Sequence, residues 1–337
     1  MRYIVILMLT GLIVGCVNVE PPPVLVLHGQ TMGTSYSVQI AQPPSTVALE
    51  ALRQDIEQTL EDINAQMSTY RPESELSRFN HSASTDWQPV SHDLATVVQT
   101  AQEISELSGG AFDVTVGPLV NLWGFGPDPS QFSPPTAEDL AAARARVGYQ
   151  QLEVRLDPPA LRKQHPELMV DLSAIAKGYA VDRVAEQLDA AGISAYLVEI
   201  GGELRGLGYK QPDQPWRVAI ERPYRDERTP LRVITLNQLA LATSGDYRNY
   251  FVYDGRTYSH TIDPATGEPV THDLTSVTVL DPSAMRADAL ATALLVLGPE
   301  SGQQWAAQHQ IAALFIQRRD DDSFVVTQTE SFGQLAP

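Results

Sequence analysis

Cysteine is almost missing from this chain. Its 337 residues include one, Cys16, so no internal disulfide can form and an apolar core must hold the fold. Basic residues are also scarce. Lys and Arg number 23 against 41 Asp and Glu, a formal charge of −18, which argues against a protein that grips nucleic acid by neutralising its phosphates. The same deficit handicaps a site for any anionic ligand unless a bound cation assists. Nitrogen and sulfur metal ligands are few. His28, His81, His92, His165, His272 and His309 have no metal-ligand spacing and read as surface or turn residues. No internal repeat or low-complexity segment interrupts the sequence. The apolar stretch Ile4 to Val14 falls short of the roughly 20 residues that a spanning helix needs.

What is present suffices for a sizeable core. The chain is 43% hydrophobic, and its length suits one large domain or two intimate lobes. The N-terminus reads as a processing segment. Arg2 supplies a positive start, and Ile13-Val14-Gly15-Cys16 resembles the bacterial lipobox, where cleavage before the Cys is followed by lipidation. Residues 1–15 are thus expected to be a lipoprotein signal peptide. Residues 16–23 form the tether, with Cys16 acylated (palmitate among the lipids) and Pro21-Pro22-Pro23 a stiff spacer. Residues 24–337 form the folded domain. The expected location is the periplasmic side of a bacterial cell envelope, tethered to a membrane; an uncleaved anchor or a chance Cys is the other reading.

Periodicity outlines the elements. Val24 to Leu27 and Ser35 to Ile40 read as strands broken by a loop over 28–34. Leu49, Leu52, Ile56, Leu60, Ile63 and Met67 keep steps of three and four, predicting a helix capped by Ser45 or Thr46 and ended before Pro72. Tyr70, in the following loop, could stack on a flat ligand or seal the helix end. A second helix is predicted from Leu94 to Leu107, between Ser91 and Gly109-Gly110. Ala111 to Leu119 and Asn121 to Pro127 read as loops. A short helix over Thr136 to Val147 has Asp139 placed as in a capping box. Leu152 to Leu156 is expected to pair with Leu168 to Val170 across Pro158-Pro159. Later strands are predicted over Ala195 to Ile200, Glu203 to Gly208, Trp216 to Glu221, Leu231 to Leu236, Leu239 to Thr243 and Ser276 to Leu280. Asn249 to Tyr253 and Arg256 to Ile262 flank Asp254-Gly255, a hairpin signal. A helix over Ala284 to Leu297, a short helix near Trp305 and strands at Ala312 to Ile316 and Phe324 to Thr327 close the chain. Many hairpins and few crossovers predict an α+β fold, a mixed but largely antiparallel sheet with packed helices.

Two distant stretches carry the chemistry. Val170 to Asp182 leads from an apolar strand into a helix with the stripe Ile175, Val181, Val184, Ala185 and Leu188, stopped at Gly192. Asp171 and Ser173 sit where the orphan amides of a helix start need caps. Such a start is an anion site, and Lys177 adds a mobile positive charge. A plain capped helix would carry the same residues. In the second stretch Asp288 and Thr292 lie four apart, on one helical face. Two hard oxygens there suit Mg²⁺.

These stretches belong to a longer series. Met32-Gly33-Thr34, Ser68-Thr69-Tyr70-Arg71-Pro72, Gly110-Ala111-Phe112-Asp113-Val114-Thr115, Asp171 to Gly178, Thr243-Ser244-Gly245-Asp246-Tyr247-Arg248, Ser259-His260-Thr261-Ile262-Asp263-Pro264 and Ala287-Asp288 with Thr292 come in that order. Together they resemble the ApbE family of FAD:protein FMN transferases over nearly the whole chain beyond the tether. The resemblance implies an ApbE-like fold related to the T-fold. It implies transfer of FMN from the substrate FAD to a Ser or Thr hydroxyl of a redox protein, with release of AMP. It places Met32, Tyr70, Ala111, Phe112, Asp113, Asp171, Lys177 and Ile262 around FAD. It gives Mg²⁺ the carbonyl of Ala174, a carbonyl near Met285, and the side chains of Asp288 and Thr292. His260 is the implied base near the phosphoryl centre, with Asp288 its rival as catalytic residue. The implied acceptors are periplasmic subunits of sodium-pumping quinone reductases and related electron-transfer complexes. One departure is Glu199-Ile200 before Gly201-Gly202, where an amide such as Asn is expected. Arg248 could bind phosphate or pair with the acidic surface.

Elementary chemistry agrees. Phosphoryl transfer needs charge neutralised on the diphosphate and an aligned nucleophile. Mg²⁺ serves as Lewis acid and template, and a hydroxyl nucleophile gains from a nearby base. Two other functions use many of the same residues: an FAD pyrophosphatase with water as nucleophile, and a lipid-anchored carrier that binds FAD without turnover. An aromatic clamp at Tyr70 favours transfer over hydrolysis, and a carrier needs no metal-and-base pair.

Overall fold

The computed structural model describes residues 24–44, 47–127, 133–224, 227–247 and 249–336. The expected signal peptide, Cys16, the proline tether, the expected caps Ser45 and Thr46, and Arg248 lie outside these residues.

The chain opens with β1 (Val24–Thr31) and β2 (Thr34–Ala41), a hairpin turned at Met32-Gly33 with φ of 50° and 72°. Most of the loop expected over 28–34 is therefore strand. Its glycine and polar residues mask a continuous ladder that runs to Thr31 opposite Thr34. Helix α1 (Leu49–Met67) buries the predicted stripe, and Ala48 at its N-cap makes no side-chain cap. Next come α2 (Glu75–His81), capped by Ser74, and the two-residue β3 (Gln88–Pro89). Seven residues are too few to show a period, so α2 is invisible in the sequence. Helix α3 (His92–Leu107) starts where Ser91 accepts from the Leu94 amide and ends before Gly109 and Gly110, both at positive φ. Helix α4 (Gly117–Leu122) replaces part of an expected loop. Helix α5 (Ala137–Arg144) has the capping box: the Asp139 amide donates to Thr136 Oγ1, which donates to Asp139 Oδ2.

β4 (Leu152–Leu156) pairs with β5 (Pro159–Lys163), not with 168–170. The short turn closes the hairpin with Leu156 opposite Pro159, before the chain reaches Leu168. Residues 168–170 are fixed by side chains instead. Asn80 bonds both the amide and the carbonyl of Val170, and the buried Lys163 ammonium donates to the Leu168 carbonyl.

After α6 (Ala176–Ala190) the strands follow closely: β6 (Tyr196–Ile200), β7 (Glu203–Leu207), β8 (Tyr209–Gln211), β9 (Gln214–Glu221), β10 (Pro230–Leu236), β11 (Leu239–Gly245), β12 (Tyr250–Tyr253), β13 (Arg256–Ser259) and β14 (Leu274–Asp281). The chain closes with α7 (Ala284–Leu297), α8 (Pro299–Gln308), β15 (Ala312–Arg318), β16 (Phe324–Gln328) and α9 (Glu330–Leu335). The main sheet has eight strands in the order β1-β2-β6-β7-β11-β14-β15-β16, each antiparallel to its neighbours.

Alternation divides this sheet between two apolar layers. Val198, Ala242, Val277, Val279, Ala313 and Phe315 join the core shared with α1, α3, α6 and α7. Leu197, Leu241, Leu280, Leu314 and Ile316 face the other way, onto Trp216 and Ile220 of β9, Ile234 of β10 and Phe332 of α9. A third, small core of Leu119, Trp123, Ala143 and Ile262 lies near the β12–β13 hairpin, where Tyr258 packs against it.

The sharpest packing constraint is between α6 and α7. A Cβ on Gly178 would stand 2.3 Å from the Ala284 carbonyl oxygen and 2.8 Å from Met285 Cα. Gly178→Ala is therefore expected to cost about 1–3 kcal/mol by overpacking. The check is a lower urea midpoint at unchanged m-value; an unshifted midpoint would show that the helices have room.

Candidate functional site

The close approach at Gly178 brings the two chemical stretches together. The Gly178 amide donates to Asp288 Oδ2 at 3.2 Å. Gly178 is the third residue of α6, so its amide has no acceptor within its own helix, and Asp288 supplies one. The Ala174 carbonyl lies just before α6, outside the helical ladder that begins with the Tyr179 amide on Ile175 O. Asp171 and Ser173 do not cap this helix, contrary to expectation. Ile175 holds the N-cap position without a side-chain bond, because the chain first makes a turn in which Leu172 O accepts from the Ile175 and Ala176 amides. Asp171 Oδ1 instead accepts from the Ser173 amide at 2.8 Å, an Asx turn.

Lys177 stands between two carboxylates. Its Nζ is 2.9 Å from Glu203 Oε1 and 3.8 Å from Asp288 Oδ2. Glu203 follows the Gly201-Gly202 turn, whose φ values are 64° and 108°. A Cβ on Gly201 would meet Thr34 Cγ2 at 2.9 Å and Lys177 Cδ at 3.2 Å. The β1–β2 turn, the β6–β7 turn and the start of α6 therefore converge. Glu199 takes part in this turn: Oε1 accepts from the Gly202 amide at 2.8 Å, so the residue at the departure from the family pattern fixes the backbone here.

Asp288 and Glu203 are each 3% exposed. Burial pushes both carboxyls up, against the pull of Lys177 on each. Burial alone would lower Lys177, but Asp288 and Glu203 outweigh it and hold the ammonium above its ordinary value. Two acids against one base leave the cluster one positive charge short. No described residue donates to Asp288 Oδ1. One turn on, Thr292 Oγ1 is fixed 3.0 Å from Ser244 Oγ of β11. Among the described residues no group of three or more His, Cys, Asp or Glu side chains is placed to hold a metal ion. A cation here would instead be held by hard oxygens: the Asp288 carboxylate, the Thr292 hydroxyl, and the carbonyls of Ala174 and Met285. That donor set and charge deficit fit Mg²⁺.

Asp182 holds α7 in place, a role the sequence reading missed. Its carboxylate accepts from Ser283 Oγ at 2.7 Å, from the Ala284 and Met285 amides at 3.0 Å, and from Arg205 at 2.7 Å. It thereby caps α7 from the side of α6. A buried carboxylate inside an apolar helical stripe was the available signal.

His260 follows β13 and is held by its own contacts. Its Nδ1 is 3.0 Å from the Asn249 carbonyl. Burial lowers its pKa from the ordinary 6.5; the Asn249 bond opposes this and the Lys177 charge reinforces it. Phe125 meets the His260 ring edge-on at 6.3 Å and stacks on Phe251 at 4.7 Å. The Tyr70 hydroxyl lies 3.5 Å from the Phe125 carbonyl. Tyr70 is 65% exposed, which rules out the helix-sealing reading and leaves its ring face available. Desolvation and the Asp171 charge hold its phenol up, which places Asp171 alongside.

The remaining expected FAD residues divide by burial. The Asp171 amide donates to Val114 O at 2.7 Å, joining the 111–115 segment to the α6 turn. Phe112 and Ile262 are core side chains. Asp113 is buried and committed: Oδ1 accepts from the amide and hydroxyl of Thr115, and Oδ2 from the Tyr149 amide. These three side chains are committed to core packing or to the local backbone, while Ala111 is half-exposed. Met32, at the β1–β2 turn, borders a cleft of about 270 Å³ that also touches Thr34, Asn64 and Arg71.

Comparison with known proteins matches this geometry. The ApbE family profile matches residues 32–315, so the chain belongs to the ApbE family. It is 49% identical to a Vibrio cholerae protein named FAD:protein FMN transferase, covering 92% of each chain. It is 44% identical to the Haemophilus influenzae protein of that name, covering 93% of this chain and 91% of the other. Among solved structures, the flavin transferase ApbE from Vibrio cholerae superimposes with a TM-score of 0.86 at 47% identity, covering 94% of this chain and all of that one. The apo flavinyl transferase ApbE of Pseudomonas stutzeri also gives 0.86, at 42% identity, with 95% and 98% covered.

Removing the clasp between α6 and α7 tests the local architecture. Asp182→Ala is expected to destabilise by about 3 kcal/mol or more, since it strands Arg205 and uncaps α7. Urea unfolding reads this directly; a loss below about 1 kcal/mol would show that the cap contributes little.

Proposed function

We propose that this chain transfers FMN from FAD to a Ser or Thr hydroxyl of a target redox protein in a Mg²⁺-dependent reaction that releases AMP. The observation that carries the reading is the Gly178–Asp288 contact at 3.2 Å beside Lys177. It sets a charge-deficient pocket of hard oxygens against a cationic helix start, as a dinucleotide diphosphate requires. FMN transfer from FAD to protein is also the activity in the names of its relatives.

When bound, Mg²⁺ would be held by Ala174 O, Met285 O, Asp288 and Thr292, and would polarise the phosphoryl oxygens. Lys177 offsets the charge of the diphosphate. The acceptor hydroxyl attacks the phosphorus on the riboflavin side. The bond to the bridging oxygen breaks, and AMP leaves with that oxygen. The hydroxyl proton passes to His260. Because Asn249 O can only accept, Nδ1 carries the hydrogen and Nε2 presents the lone pair. Burial keeps that imidazole neutral near pH 7, ready to act as base. Tyr70 and Phe125 frame the entry and limit water, which favours transfer over hydrolysis. Met32, Ala111, Phe112, Asp113, Asp171 and Ile262 complete the FAD pocket. Acylation of Cys16 would tether the enzyme at the periplasmic face of a membrane, within reach of acceptor subunits of quinone reductases and related electron-transfer complexes.

Incubation with FAD, MgCl₂ and an acceptor domain tests this reading. Fluorescent flavin bound covalently to the acceptor is expected; AMP and free FMN without labelling would make the protein a hydrolase. Asp288→Ala, or removal of metal with EDTA, is expected to abolish labelling, and retained activity would count against the metal assignment. His260→Ala is expected to keep FAD binding and slow labelling about 10²–10⁴-fold. The parent's rate should fall only as pH drops below 6.5, since His260 titrates below that value and its base form prevails above it. The variant should lack that acid limb; a limb unchanged in the variant would exclude His260 as the base.

A further inference from the structure

Glu203 has an oxygen that the described protein leaves unmatched. Its Oε1 takes the Lys177 ammonium at 2.9 Å, while Oε2 is buried and has no hydrogen-bond partner among the described residues. Buried acceptors in folded proteins are nearly always paired, and an unpaired one is costly. The side chain is 3% exposed, so bulk water does not serve it. It sits where Lys177, Asp288 and the Gly201 turn converge, beside the place assigned above to the diphosphate.

We infer that Glu203 is a binding residue whose Oε2 pairs with a hydroxyl brought by a reaction partner. The inference rests on the site reading above. A phosphate oxygen cannot pair with the ionised carboxylate, because both are anionic acceptors and neither donates. A hydroxyl both donates and accepts, so it suits this oxygen with or without a proton on the carboxyl. Both reaction partners carry such groups: the ribityl and ribose hydroxyls of FAD, and the Ser or Thr hydroxyl of the acceptor. Oε1 remains with Lys177 throughout, so one carboxylate both orients the ammonium and takes the hydroxyl.

Glu203→Gln distinguishes the two sources. Lys177 claims the remaining oxygen, so the amide NH₂ falls where Oε2 stood. The incoming hydroxyl must then reverse its bond and lose its charged partner. FAD affinity is read by equilibrium dialysis with MgCl₂, and labelling kinetics with an acceptor domain. A rise of at least about tenfold in the Kd for FAD assigns the hydroxyl to the dinucleotide. An unchanged Kd with a fall of at least about tenfold in kcat/KM for the acceptor assigns it to the nucleophile. Both values within about twofold of the parent overturn the inference, whatever happens to the melting temperature. If Glu203→Gln does not fold, Glu203→Asp is read in the same way; it keeps the charge opposite Lys177 but withdraws the carboxylate by one methylene. Parent binding and labelling, with loss of labelling in Asp288→Ala, test the site reading separately. If the parent itself neither binds FAD nor labels the acceptor, that reading fails and this inference falls with it.

Discussion

A single backbone amide, that of Gly178 in the first turn of α6, organises this molecule. It has no acceptor within its own helix and takes Asp288 of α7 instead. One contact thus draws in a carboxylate from α7 and requires the two helices to nearly touch. Only glycine permits that approach. The third feature, the Asp182 clasp on the first turn of α7, fixes how far the two helices slide past each other, and with it the position of Asp288 against Gly178.

Electrostatics explains how so acidic a chain can handle an anion. The net charge of −18 over the whole chain is of no help, yet the pocket is not simply negative. Lys177 is held between Glu203 and Asp288, and both acids keep it charged. The acids are in turn destabilised by burial and lack a full counter-charge. Such a cluster would suit a divalent cation, whose remaining positive field would then face a diphosphate. His260 works on the opposite principle. Burial and the Lys177 charge both lower its pKa, which favours the neutral imidazole and suits a base rather than an anion binder.

How much of this the sequence displayed depends on the range of the interaction. The α1, α3 and α7 helices were legible because their apolar stripes repeat over many turns. The Asp254-Gly255 hairpin was legible because its turn needs positive φ at both residues, 47° and 74°. The β5 partner of β4 was not, since two short apolar runs compete and only turn length decides. The cap assignment at Asp171 failed for a related reason. A carboxylate before a helix can cap it or close its own Asx turn, and a single added turn selects the latter. At the site, Lys177, Asp288 and His260 were visible as charged or titratable residues in apolar surroundings. Glu203 and Asp182 were overlooked because their partners, Lys177 and the α7 amides, lie 26 and about 102 residues away, and no local pattern encodes such pairing.

The site also spans two separately packed cores, and this separates its two chemical tasks. The anion-binding half stands on the large core shared by α6, α7 and the sheet. His260 belongs to a hairpin region packed by the small core of Leu119, Trp123 and Ile262. Links between them include the Val116–Met169 bridge, the Asn121 amide on Met169 Sδ at 3.9 Å, and the Tyr70 hydroxyl at the Phe125 carbonyl. Rigid cores transmit position well, but a joint made of few contacts can adjust by fractions of an ångström. Lys177 and Asp288 thereby stand on a fixed platform, while His260 and Phe125 sit on the more adjustable side. That division suits an enzyme whose second substrate is a protein, because that substrate arrives from outside on a surface of its own and the groups that meet it must adjust.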